Sequence, residues 1–133
     1  MDQECLYVLA DRRSAFSLEF GRPVRLATPT PNSALSDLQR NYRGEISLTI
    51  YCDWAASKHG ENLVGWEHSE LFVGRTVTGM RFMNRDLDLR LDFDDDMTLF
   101  VLTDPDKLSF QYSWRLEDRW WSLGADGVSD SAD

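Results

Sequence analysis

The stretch Asp86–Leu102, DLDLRLDFDDDMTLFVL, decides the fold. Leu87, Leu89, Leu91 and Phe93 alternate with Asp86, Asp88, Arg90, Asp92 and Asp94. A period of two puts the apolar side chains on one face of a strand and the charges on the other. Asp94-Asp95-Asp96 interrupts the pattern with residues that tolerate turn conformations, and Met97–Leu102 resumes as a second apolar run. The stretch predicts a β-hairpin with one buried face and one wet face.

Further out, Ile46, Leu48, Ile50, Cys52 and Trp54 alternate with Glu45, Ser47, Thr49, Tyr51 and Asp53, which predicts one long strand over 45–54. Shorter apolar stretches predict strands at Cys5–Leu9, at Phe16–Phe20 with Gly21 as its stop, at Phe110–Leu116 and at Trp120–Leu123. Leu71–Met83 reads as two short strands bent near Gly74 or Gly79, and Ala55–Gly65 as a loop. The single helix predicted lies near residues 33–42. Asn32 or Ser33 would cap it, Leu35, Leu38 and Tyr42 would share a face, and Gly44 would end it. Phe20-Gly21-Arg22-Pro23-Val24 echoes Phe72-Val73-Gly74-Arg75-Thr76-Val77, as two pseudo-repeated β-meanders would. The fold expected is mainly β: an antiparallel two-sheet sandwich or a partly open barrel of about eight to ten strands with one short helix.

A chain of 133 residues suits one domain, expected over 1–123 and followed by a small, polar, disordered acidic tail over 124–133. The N-terminal MDQECLYVLADRR places acids first and has too short an apolar stretch for a signal peptide. No run reaches the roughly 18 apolar residues of a membrane span. A cytoplasmic location is therefore expected, with Cys5 and Cys52 as reduced, core-facing thiols.

The net charge of −9 is unevenly spread. Residues 1–85 hold ten acids and ten bases, whereas residues 86–133 hold thirteen acids and four bases. Such a field repels nucleic acid and anionic lipid and favours a basic protein partner. Arginine outnumbers lysine twelve to two, a bias that a GC-rich genome produces without any functional demand.

Trp54, Leu71-Phe72-Val73-Gly74 with Val77, Asp86-Leu87-Asp88-Leu89 to Phe93, Leu99 and Trp114 roughly follow the pattern W…LxGxxV…DLxLxFxxGxxL…W. Over about residues 45–121 the chain thus resembles a group of small uncharacterised bacterial domains. Asp95 or Asp96 stands where such domains usually carry the second glycine of the pattern. The resemblance implies a β-rich fold and an immunity-like or accessory role, with no established activity.

Asp88, Asp92, Asp94, Asp95 and Asp96 are the candidate protein-binding residues, with Trp120 or Trp121 as an apolar anchor. Adjacent strand residues face opposite ways, so one of these two tryptophans points inward and the other outward. Trp54 and Trp114 fall on apolar faces and read as core. A row of diverging carboxylates does not converge on a cation, so no metal and no cofactor is expected. His59, His68 and Cys52 match no metal spacing, and the chain lacks GxSxG, GxGxxG and GxxxxGK[ST]. The function expected is non-enzymatic binding of a basic protein, with edge strands that leave homodimer pairing open. The alternative is a small-ligand or carbohydrate binder or hydrolase whose β-cleft uses Trp66 and Trp121.

Overall fold

The computed structural model describes residues 3–11, 15–63, 66–83, 88–103, 112–116, 119–124 and 127–132. In chain order the elements are β1 (Cys5–Asp11), β2 (Ala15–Arg25), α1 (Asp37–Asn41), β3 (Tyr42–Ile50), β4 (Asp53–Lys58) and β5 (Glu61–Leu63). A 3-10 helix (Trp66–Phe72) follows, then β6 (Val77–Phe82), β7 (Leu89–Phe93), β8 (Met97–Leu102), β9 (Tyr112–Leu116), β10 (Arg119–Gly124) and β11 (Gly127–Ala132). The strands form two antiparallel sheets, ordered β1-β2-β3-β9-β10-β11 and β5-β4-β8-β7-β6. Their facing sides share one apolar core, as a sandwich requires.

The expected hairpin is present as β7 and β8. Leu89, Leu91 and Phe93 are buried, as are Met97, Leu99 and Val101 across from them. From the other sheet come Phe16, Leu18, Phe20, Leu48 and Ile50, again every second residue. Phe72 lies between the layers, with its ring 5.0 Å from Phe93 and 6.3 Å from Phe16. Trp54 packs on Phe16 at 4.6 Å, and Trp114 packs against the same core. Cys5 and Cys52 are free, buried thiols.

The two sheets touch along one margin. Glu4 forms an isolated bridge with Thr76, Cys5 N–H donates to Arg75 C=O at 2.7 Å, and Val77 N–H donates to Gln3 C=O at 2.9 Å. This joins the start of β1 to the start of β6.

Several local expectations are corrected. The predicted strand 45–54 is two strands in different sheets, because the chain crosses between the layers at Tyr51-Cys52. The inward alternation survives the crossing, since inward from either sheet means the same core. Gly21 does not stop β2 but sits in a bulge, where Gly21 and Arg22 lie opposite Glu45. Its φ of +85° favours glycine, and an added Cβ would lie 2.5 Å from the Glu45 side chain. Gly44 ends no helix. It lies in β3, and a Cβ there would meet the Phe20 backbone at 2.5 Å. Ala55–Gly65 is not a loop over its described part, since it holds the end of β4, a turn and β5. The first half of Leu71–Met83 is the end of the 3-10 helix and a turn rather than a strand.

The helix is shorter than expected and starts later. Ser36 caps it in a capping box with Gln39, and the Asn32 side chain is spent on a turn, accepting from Ala34 N–H at 3.0 Å. No α1 residue is buried, so hydrogen bonds hold it in place. Gln39 Nε2 donates to Val8 C=O at 3.2 Å and Arg40 Nε to Thr30 C=O at 3.1 Å. Gly127–Ala132 pairs with β10 where composition points to a disordered tail, and the pairing is made through the backbone. The two echoed segments differ in setting, one a strand bulge and the other a turn after a 3-10 helix, although Gly21 and Gly74 donate to the neighbouring carbonyls of Glu4 and Cys5.

Candidate functional site

Phe93 and Met97 are the last paired residues of the β7–β8 hairpin, so Asp94, Asp95 and Asp96 form its tip. Asp95 and Asp96 have φ of 58° and 54°, the left-handed region that aspartate tolerates better than most side chains. Beside them is the two-residue turn between β4 and β5. His59 and Gly60 there have φ of 53° and 79°, as a type I′ hairpin turn demands. Lys58 lies in register with Met97, which sets the two turns side by side, and His59 N–H donates to Asp96 C=O at 3.0 Å. The start of β6 supplies the third wall. Asp94 N–H donates to Thr76 C=O at 2.9 Å, and Asp94 Oδ1 accepts from Thr76 N–H at 3.1 Å.

The charges at this tip are close but wet. Arg75 Nη1 lies 3.1 Å and Lys58 Nζ 3.4 Å from Asp95. His59 reaches Asp95 at 3.7 Å and Asp96 at 3.8 Å, contacts that are ionic only when its imidazole is protonated. Three carboxylates thus face two permanent cations. The Asp96 side chain is 74% exposed, so it meets solvent more than protein.

Asp88 and Asp92 are used differently. Asp88 Oδ1 accepts from both Thr103 N–H, at 2.7 Å, and Thr103 Oγ1, at 2.6 Å, tying the start of β7 to the end of β8. Asp92 Oδ1 takes Arg90 Nε at 2.8 Å and Thr98 Oγ1 at 3.3 Å, while the Arg90 guanidinium also lies over the Phe100 ring. The charged face of β7 is therefore internally bonded, and the exposed acids of the described hairpin are those of the tip.

Trp120 and Trp121 lie on β10 in the other sheet, in register with Arg115 and Trp114 respectively. Trp66 opens the 3-10 helix, which packs against β1. β1 and β10 are four strands apart in their sheet, about 19 Å at ordinary strand spacing. The structure thus brings Asp94, Asp95 and Asp96 together and places the tryptophans elsewhere. Among the described residues no group of His, Cys, Asp and Glu is placed to hold a metal ion.

A second cluster lies on the six-stranded sheet. Glu19, Ser47 and Arg115 are in register across β2, β3 and β9, at positions facing away from the apolar core, yet all three are buried. Arg115 Nη2 donates to Gly44 C=O at 2.9 Å and to Ser47 Oγ, and lies 3.5 Å from Glu19 Oε1. Gly44 N–H donates to the same Glu19 oxygen at 3.3 Å. Burial pushes the Glu19 carboxyl up to about 7, against the pull of the Ser47 hydroxyl, the Gly44 amide and the Arg43 charge. Burial also raises the Cys5 thiol to about 12, with Glu19, Glu70 and Glu4 adding to the rise, which keeps it protonated and unreactive.

The sequence reading missed this cluster and the two cations of the tip. Glu19 and Ser47 stand at ordinary outward positions of their strands, and Arg75 and Lys58 are distant from Asp95 in the chain. Only strand order and register align them. No family model, curated protein or solved structure matches the chain.

Proposed function

We propose that this is a non-enzymatic, cytoplasmic binding protein with an immunity-like or accessory role, engaging a basic partner protein through the acidic tip of the β7–β8 hairpin. One observation carries the reading: three consecutive aspartates are held at an exposed tip facing, among the described residues, two permanent cations. The C-terminal excess of acids adds a long-range field of the same sign. The tip is also well fixed, because turns from β4–β5 and the start of β6 brace it through backbone hydrogen bonds. A braced surface loses less entropy on binding than a loose one. Asp88 is taken up by Thr103 at the open end of the hairpin and Asp92 by Arg90 and Thr98, and Asp94, Asp95 and Asp96 make the contact.

The test is affinity capture from host lysate at low and moderate salt, with the wild type beside a variant carrying Asp94→Lys, Asp95→Lys and Asp96→Lys. A basic protein retained by the wild type, released by salt and lost from the variant is the expected result. Equal capture by both proteins, insensitive to salt, would overturn the reading.

A further inference from the structure

We propose that the free edge of β6 accepts a strand from another protein, and that this strand carries one acidic residue between two apolar ones. The inference is independent of the acidic tip, which lies at the opposite end of the same edge. β6 is the last strand of its sheet, and past Val77 no described strand pairs with its outer side.

The backbone there is poised for pairing. Met83 N–H donates to Asp88 C=O at 2.7 Å, which puts that pair at a hydrogen-bonded position of the ladder. In an antiparallel ladder such pairs alternate, so Arg81–Arg90 is another. The N–H and C=O groups of Met80 and Phe82 therefore point to the free side. Natural edge strands are normally short, charged or covered for this reason.

The side chains add an apolar anchor. Met80 and Phe82 lie opposite Leu91 and Leu89, on the core-facing side of the sheet, yet Met80 is 46% and Phe82 55% exposed. Met83, next in the chain, is 45% exposed. An added strand would place apolar residues directly across from Met80 and Phe82.

Charge selects the occupant. Arg81 stands between these two residues, exposed on the opposite face, and no ion pair is formed by it among the described residues. A second copy binding through the same four backbone groups would put Arg81 against Arg81, and like charges directly opposite each other are destabilising. A glutamate or aspartate at that position is favoured instead. A run of acids would be repelled by the net charge of −9, which confines the preference to a single one.

The experiment titrates isotope-labelled protein with an acetylated, amidated peptide of sequence Thr-Val-Glu-Val-Thr, and with the same peptide carrying Lys for Glu. Expected are shifts centred on the Met80 and Phe82 amides, slowed hydrogen exchange at both, and binding of the Glu peptide about two- to fivefold tighter, the effect of one cross-strand charge pair. Arg81→Glu should invert that preference and Arg81→Gln should abolish it. Glu61→Lys, exposed on β5 at the opposite edge of the sheet, should leave it unchanged. Three outcomes would overturn the proposal: no shift along β6 at millimolar peptide, no preference between peptides, or protection of the Met80 and Phe82 amides by self-association of the wild type alone.

Discussion

The protein builds two clusters from the same chemical parts, carboxylates and arginine, in opposite surroundings. Glu19 and Arg115 are 7% and 6% exposed on the six-stranded sheet, whereas Asp95 and Arg75 meet at a wet hairpin tip on the five-stranded one. Their separations are similar, at 3.5 Å and 3.1 Å, so distance does not distinguish them. Burial does. Removing charges from water costs several kcal/mol per ion, and only a complete set of partners offsets it. At the tip, water screens the attraction and each ion pair is worth roughly 0–1 kcal/mol. The buried cluster therefore locks three strands together, and the exposed one leaves carboxylates free to exchange partners.

The largest expected effect breaks the buried cluster. Arg115→Met removes the buried donor to Gly44 C=O, Ser47 Oγ and Glu19 and should cost about 1–3 kcal/mol in urea unfolding at neutral pH. A loss below about 1 kcal/mol would mean that the two clusters are energetically alike.

The second test is pH. The Glu19 carboxyl rises from 4.5 to about 7 on folding, so the native chain holds this proton more tightly than the unfolded one. Its contribution to stability is complete below pH 4.5 and is lost as the pH rises through about 7. Glu19→Gln should remove that slope, read as the difference between the unfolding free energies of variant and wild type at each pH. An unchanged slope in Glu19→Gln would refute the assignment.

The tip is expected to respond to backbone rather than charge. Asp96 has φ of 54°, so Asp96→Gly should stabilise the protein by about 1 kcal/mol through relief of the left-handed penalty. Destabilisation would show that the contact with His59 outweighs the strain. Smallest of all is the ion-pair coupling. A double-mutant cycle on Arg75 and Asp95 should give less than about 1 kcal/mol and vanish in 1 M salt. The corresponding cycle on Glu19 and Arg115 should persist there.

How much of this was legible depended on whether the deciding contact was local. The alternation from Leu89 to Phe93 and from Ile46 to Trp54 gave the buried faces correctly, because burial and strand period act within a few residues. The split of the second run between two sheets did not show, since both sheets point the same residues inward. The helix start was misplaced because Asn32 and Ser36 are both good caps, and the Gln39 partner selects Ser36. The last strand was missed because backbone pairing with β10 needs no apolar signature in VSDSA. The acids of the candidate site were all visible, but which were spent internally was not: Asp88 depends on Thr103, and Asp92 on Arg90 and Thr98.

By itself, then, the sequence determined the mainly β class, the inward side chains of the central hairpin, its three-aspartate turn and the concentration of acid in the last third. These follow from local period, turn chemistry and charge count. Tertiary structure alone decided the sheet order, the alignment of Glu19, Ser47 and Arg115 into a buried network, the bracing of the tip and the exposure of Met80 and Phe82. Those depend on which strands become neighbours, which is settled only when distant segments pair.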